Sequence, residues 1–367
     1  MCNDDRNEEL IKTILQNIYN AADAAITALQ CSTKHIYIFG AGAAGVLVKR
    51  NLERFNLYAY RFVDNNISKH GTLVEDIPVI GFSELLSDVN RVVVIGTVEF
   101  HHEVVTQCID GGIPLNDLCF ADFLHYDGKE VVSKYFLENI SSIVDIFEHC
   151  ADHESRDLFI ANLLYQINRD RRYYRGKLSP LSKQYFDSDI VQWNNDEVYF
   201  DCGAKDGDTA LIFHNLNNGI YKKIITFEPD KANFEMLMRN TESFDRIENI
   251  NAGVGEFEVQ LAFNGDKGGH SAFDNDGAFT ARIVPLDKFI DRKPTFIKMD
   301  IEGFELSALM GAKEIIQTLK PKLAICLYHK PRDIVSLPKY ILSQRSDYKL
   351  YLRLYRDFGH DLVCYCV

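Results

Sequence analysis

No apolar run in this 367-residue chain approaches the ~18 residues that a membrane-spanning helix needs. Positive charge is also scarce. Forty Lys and Arg stand against 53 Asp and Glu, a net charge of −13 that disfavours nucleic acid or an anionic membrane as the main partner. The nine cysteines lack paired metal-ligand spacing, and Cys364 and Cys366, two apart in a strand-like run, read as packed thiols on one face. Met1-Cys2-Asn3-Asp4-Asp5-Arg6 carries no signal-peptide pattern, so a cytoplasmic, reducing setting is expected. What remains is an ordinary globular composition, 46% hydrophobic and 25% charged, in a chain long enough for two domains.

Leu10, Ile11, Ile14, Leu15, Ile18, Ala22, Ile26 and Leu29 recur at helical spacing, which predicts an amphipathic helix over residues 1–30. Its apolar face suits packing on its own domain or a seam between copies of the chain. A strand at 36–39 then runs into Gly40-Ala41-Gly42-Ala43-Ala44-Gly45 and a helix, and Asp64 ends the next strand about 20 residues on. With further strands near 79–80 and 91–95, residues 31–125 read as a compact doubly wound, Rossmann-like unit. Its glycine loop carries no charge, so the helix N-terminus there suits a diphosphate. Gly40, Gly42, Gly45 and Asp64 are the candidate residues for a nucleotide or nucleotide-sugar, the alternative being glycines kept only for tight packing.

Residues 126–180 read as a helical linker with two apolar stripes, one through Phe136, Ile140, Ile143, Val144 and Phe147, the other through Leu158, Phe159, Leu163, Leu164 and Ile167. The cluster Arg169-Asp170-Arg171-Arg172-Tyr173-Tyr174-Arg175-Gly176-Lys177 is either a phosphate-holding patch or a solvated helix end paired with nearby acids.

From residue 181 onward four short apolar runs end on polar residues: Asp201, Glu228, Asp300 and His329. Runs with so little alternation suit parallel strands covered on both faces. Ligands of such sheets sit beyond the carboxyl ends of the strands. Each polar residue alone is equally an ordinary strand end; four in register point to one cleft. The first loop, Cys202-Gly203-Ala204-Lys205-Asp206-Gly207-Asp208-Thr209, turns on two glycines and is net acidic together with Asp201. That field opposes the pyrophosphate of a dinucleotide and favours the sulfonium and ammonium of S-adenosylmethionine. Glu228 suits the role of ribose acceptor.

The segments 201–209, Phe227-Glu228-Pro229, 297–305 with its Lys298-Met299-Asp300-Ile301-Glu302-Gly303 run, and Tyr328-His329-Lys330-Pro331-Arg332-Asp333 resemble the FkbM-type methyltransferases. The resemblance covers residue 184 to the C-terminus, and Gln184-Tyr185-Phe186-Asp187 is similar to the segment that leads into the cofactor site of related proteins. It implies a class I methyltransferase sheet over 181–367, closed by a hairpin, with S-adenosylmethionine as cofactor. The implied cofactor residues are Tyr185, Asp201, Gly203, Ala204, Gly207, Asp208, Thr209, Glu228, Pro229 and Asp300. It further implies O-methylation of a sugar, nucleotide-sugar or glycan, as in surface polysaccharide biosynthesis. One departure is Arg353-Leu354-Tyr355, where the family pattern leads one to expect a histidine after the arginine. The N-terminal unit is similar to the module preceding polysaccharide-biosynthesis sugar-nucleotide epimerases. The expected fold class is therefore α/β, with two Rossmann-like doubly wound units joined by a helical segment.

A hydroxyl needs a base to take its proton as methyl transfer proceeds. His329 is the first candidate for that base; Asp300 is expected to orient it, bind the acceptor or steady the cofactor's charge, and Glu302 ranks second as an acid in a first helical turn. No ligand spacing calls for a metal. Two rival classes use the same residues differently: a nicotinamide-dependent oxidoreductase working at Gly40–Gly45, and a non-catalytic nucleotide-sugar-binding protein. The first lacks a separate hydride-relay motif; the second does not require Asp201, Glu228, Asp300 and His329 together.

Overall fold

The computed structural model describes residues 8–15, 29–97, 101–120, 129–168, 171–264, 272–273, 279–356 and 361–367. It divides into two compact units, one drawn from Glu9–Glu138 and Leu163–Tyr173, the other mainly from Asn139–Asn162 and Tyr174–Val367.

The first unit contains β1 (His35–Phe39), β2 (Arg61–Val63), β3 (Leu73–Val74), β4 (Ile77–Ile80), β5 (Arg91–Ile95) and β6 (Leu118–Phe120). They form one sheet in the order β3-β4-β2-β1-β5-β6, all neighbours parallel except β3 against β4. Alternate residues of a strand face opposite sides. Ile36 and Ile38 of β1 accordingly join a core with Val48 and Leu52, while Tyr37 and Phe39 join another with Val104 and Cys108. Of the expected first helix, residues 8–15 are helical with Ile11 and Leu15 buried, and Ile18, Ala22 and Ile26 lie outside the described residues.

The second unit continues with β7 (Val198–Cys202), β8 (Lys223–Phe227), β9 (Ile247–Ile250), β10 (Gly253–Val254), β11 (Val259–Asn264), β12 (Ala272–Phe273), β13 (Phe279–Val284), β14 (Phe296–Met299), β15 (Lys322–Cys326), β16 (Leu350–Leu354) and β17 (Leu362–Cys366). Its main sheet runs β16-β17-β15-β14-β7-β8-β9. The five strands from β15 to β9 are parallel, and β17 inserts antiparallel between β15 and β16. This is the doubly wound sheet with a terminal hairpin that the sequence predicts. A second sheet, β10-β13-β11-β12, was not expected.

An aromatic cluster fixes the segment that precedes β7. The Phe186 ring lies 5.6–6.1 Å from those of Trp193, Tyr199, Phe213 and Phe296, and such contacts add to the area that each ring buries. Tyr185, the neighbour of Phe186, is thereby held at a left-handed φ of 65°.

The expected apolar stripe through Phe136 and Phe147 is interrupted at Asn139, between the helices Lys129–Glu138 and Ile140–His149. Residues 126–180 contribute to both units rather than to a separate linker. Of the basic cluster, Arg169 and Asp170 lie outside the described residues; Tyr174 is buried and its hydroxyl accepts from Asn162 Nδ2 at 2.7 Å, while Lys177 pairs with Asp157 at 3.5 Å. Arg353 is buried and pairs with Asp152 at 2.7 Å, which ties β16 to the start of the helix His153–Asn168. No helix among the described residues is long and apolar enough to cross a membrane.

Candidate active site

The carboxyl ends of β7, β8, β14 and β15 border a cleft of about 510 Å³, within the usual ~300–1,000 Å³ of small-molecule sites. Its lining includes Tyr185, Gly203, Asp208, Thr209, Glu228, Pro229, Asp300 and Glu302 from the expected set. Two glycines make the first loop possible. Gly207 caps the helix Asp208–Leu216 at φ +89°, and Gly203 turns at φ +79° where a Cβ would stand 1.9 Å from the Asp300 carbonyl oxygen. Both are conformations and approaches that side chains resist. Ala204 is buried behind the loop and, like Gly207, is not part of the lining.

Asp201 departs from expectation. β7 runs on to Cys202, so Asp201 lies inside the strand, opposite Lys298 of β14, and is fully buried. Its Oδ1 is 3.2 Å from Lys298 Nζ, and its Oδ2 accepts from Thr209 Oγ1 at 2.6 Å. Lys298 also donates to the Gly203 carbonyl at 2.8 Å. Burial alone would lower the ammonium pKa, but Asp201 and Asp300 raise it well above the ordinary lysine value. The charge of Asp201 is thus neutralised inside the sheet and holds the loop, rather than facing a ligand. The lining itself remains acidic: Asp208, Glu228, Asp300, Glu302 and Asp361 against Lys205, Lys298 and Arg356.

Glu228 follows the last residue of β8 and is buried at the cleft. Its Oε2 accepts from the Lys205 backbone amide at 2.8 Å and its Oε1 from that of Asp230, also at 2.8 Å. Burial pushes the carboxyl up to about 7, against the pull of the two amides.

Asp300 is the centre of the site. It accepts from the Tyr185 hydroxyl at 2.7 Å on Oδ2 and from the Tyr328 hydroxyl at 3.0 Å on Oδ1. Burial would raise its pKa, but His329 and Lys298 outweigh that and hold the carboxylate well below the usual range.

His329, expected at the acceptor, lies behind Asp300. β15 ends at Cys326, so the chain has already turned by residue 329; the imidazole is 7% exposed and is not part of the described lining. Its Nε2 is 3.4 Å from Asp300 and 3.8 Å from Glu302, and its Nδ1 is 2.8 Å from Glu305 Oε1. Burial pushes the imidazole down, yet Asp300 and Glu305 reverse this and raise it to about 10. An imidazole held in its protonated form has no lone pair to take a proton. Glu302 sits at φ +55° and precedes the helix Glu305–Met310 rather than entering its first turn.

Three residues with structural roles here were not singled out in the sequence: Lys298, Tyr328 and Glu305. The signal for Lys298 was visible, a charge inside an otherwise apolar strand.

In the first unit, Gly40 and Gly45 are packing glycines. A Cβ on Gly45 would stand 1.8 Å from the Gly40 carbonyl oxygen, and one on Gly40 2.8 Å from that of Gly96. Gly42, by contrast, faces open space. Asp64 accepts from the Ala41 amide at 2.9 Å and pairs with Lys69 at 2.8 Å, so it braces the glycine loop as Glu228 braces its own.

The family model of the methyltransferase FkbM domain matches residues 201–350. The hexuronic acid methyltransferase AglP of Haloferax volcanii is 24% identical over 163 residues, 40% of this chain and 64% of that protein, so the match spans under two thirds of the relative's length. The solved structure of the methyltransferase FkbM from Methylobacillus flagellatus KT is 25% identical, with a TM-score of 0.72 over 96% of this chain and 100% of that one. Residues 201–350 thus match the methyltransferase FkbM domain.

Proposed function

We propose that the protein is an O-methyltransferase that acts on a hydroxyl of a sugar, nucleotide-sugar or glycan acceptor in the assembly of a surface polysaccharide. The observation that carries this reading is the state of Asp300, an ionised carboxylate that borders the cleft with both oxygens oriented by tyrosine hydroxyls. S-adenosylmethionine, when bound, supplies an electrophilic methyl on a cationic sulfur, which the acidic lining favours. Tyr185, Gly203, Asp208, Thr209, Glu228 and Pro229 would hold it, with Glu228 accepting from the ribose hydroxyls.

The chain's own part in the reaction is positioning and proton removal. Asp300 accepts the hydroxyl proton as the new oxygen–carbon bond forms. A weakly basic carboxylate suffices, because a hydroxyl that is gaining a methyl group becomes strongly acidic. His329 stays charged and acts as the fixed counter-charge of Asp300, while Tyr185 and Tyr328 set its plane. Arg356, whose side chain is 64% exposed at the rim and pairs with Asp361 at 2.9 Å, offers a guanidinium to an acidic sugar. The name of the Haloferax relative supports an acceptor of that kind.

The test is incubation with methyl-labelled S-adenosylmethionine and a panel of neutral hexosides, hexuronosides and nucleotide-sugars, followed by NMR of the products. An O-methyl ether supports the reading; label on a carboxyl ester or a nitrogen, or label only on the protein, overturns it.

A further inference from the structure

The turn that follows Asp300 has two consecutive left-handed residues, Glu302 at φ +55° and Gly303 at φ +92°. Such a backbone persists only where its surroundings over-determine it. The determinant is Glu305, whose side chain is 1% exposed. Its Oε1 accepts from the Ile301 amide at 3.0 Å and from the Gly303 amide at 3.4 Å, both within the turn. Lys330 Nζ closes the other side by donating to the Gly303 carbonyl. The same Glu305 Oε1 stands at an ion-pair distance of 2.8 Å from His329 Nδ1, and the opposite ring nitrogen is 3.4 Å from Asp300, neither contact having hydrogen-bond geometry. Glu305 Oε2 is buried with no hydrogen-bond partner among the described residues.

A carboxylate in that position is costly unless its charge is used. Binding two backbone amides alone could be done by a neutral amide side chain. The carboxylate also stands beside the His329 ring, which connects it to Asp300.

We propose that Glu305 is a positioning residue for methyl transfer: it pins the Asp300–Gly303 turn through two amides and anchors the His329 ring as a fixed cation against Asp300. The inference rests on the reading of Asp300 as the proton acceptor. The charged and titratable groups around the ring are Asp300, Glu302 and Glu305 from the β14 side, and Lys330 and Asp333 from its own segment; the Tyr185 and Tyr328 hydroxyls act through Asp300. Asp333 is itself raised to about 7, by burial first and then by Glu305.

Glu305→Gln separates the two jobs, because the amide oxygen still accepts from Ile301 and Gly303 while the charge is gone. The direct readout is nitrogen NMR of the His329 imidazole during a pH titration of the ligand-free protein. In the wild type the ring is expected to hold its proton up to about 10. In Glu305→Gln its titration moves down toward neutrality, while calorimetry shows S-adenosylmethionine binding unchanged. On an acceptor that the wild type methylates, kcat falls, by less than the ~10²–10⁴-fold expected for losing the proton-transfer group itself. The alkaline limb of the rate profile moves down with the ring. A titration identical in the variant and the wild type overturns the proposal, as does a wild-type kcat. If the variant does not fold, the wild-type titration decides: a ring that loses its proton near neutrality is not anchored by Glu305. Full turnover by Asp300→Asn would instead remove the proton-acceptor reading and leave the His329 titration as it is.

Discussion

Asp201 and Lys298 face each other across adjacent strands, 3.2 Å apart and both almost completely buried. The pair is structural: Lys298 reaches past Asp201 to the Gly203 carbonyl and sets the first turn of the loop after β7. Removing one member of such a pair leaves the other charge buried without compensation. Lys298→Met is expected to destabilise the folded state by about 3–5 kcal/mol in denaturant titration, more than the double change Asp201→Asn with Lys298→Met. Equal losses for the single and double variants would show that the two charges are not coupled.

Glu228 is expected to give cofactor binding a pH dependence. Its folded pKa of about 7 lies above the ordinary 4.5, so its contribution to stability is fully present below 4.5 and is lost as pH rises through about 7. Ribose hydroxyls bind the anion better than the neutral acid, so affinity for S-adenosylmethionine should rise over the same interval. Glu228→Gln should bind more weakly, each lost charge-assisted bond being worth about 1.5–3 kcal/mol, and should show a flatter pH profile. Calorimetry at several pH values checks both; an unchanged affinity in the folded variant would sink the ribose assignment.

Much of this site was legible because strand ends in a parallel sheet are easy to find. Glu228 follows β8 and Asp300 follows β14 immediately, and both border the cleft. Asp201 and His329 were harder for two physical reasons. A local charge count around 201–208 omits Lys298, which is brought beside Asp201 only by strand pairing. The burial of His329 depends on where β15 stops, and strand ends are the least certain part of any reading from pattern. The sheet β10-β13-β11-β12 had a signal, since Ala281 and Ile283 are buried while Thr280 and Arg282 are exposed, in strand alternation. The break at Asn139 carried no comparable mark, because the apolar stripe continues across it.

The glycines of the first unit allow a separate test of whether it binds a nucleotide diphosphate or its sugar conjugate. Gly45→Ala forces a Cβ against the Gly40 carbonyl and should destabilise by about 1–3 kcal/mol with or without any ligand. Gly42→Asp enters open space at the start of the helix Ala43–Glu53, where a carboxylate caps the helix at little or no cost. It should also repel a diphosphate. A nucleotide-sugar that raises the melting temperature of the wild type but not of Gly42→Asp would support the site; equal shifts would remove it.

The central claim is that Asp300, with His329 as its counter-charge, receives the acceptor's proton. The most direct measurement is single-turnover methyl transfer by cofactor-loaded Asp300→Asn and His329→Ala, on an acceptor that the wild type methylates. The account predicts that Asp300→Asn still binds cofactor but transfers about 10²–10⁴-fold more slowly, the usual loss for a proton-transfer group. His329→Ala should retain more activity than Asp300→Asn. Wild-type transfer by Asp300→Asn, with His329→Ala inactive, would contradict it and return the base to the imidazole.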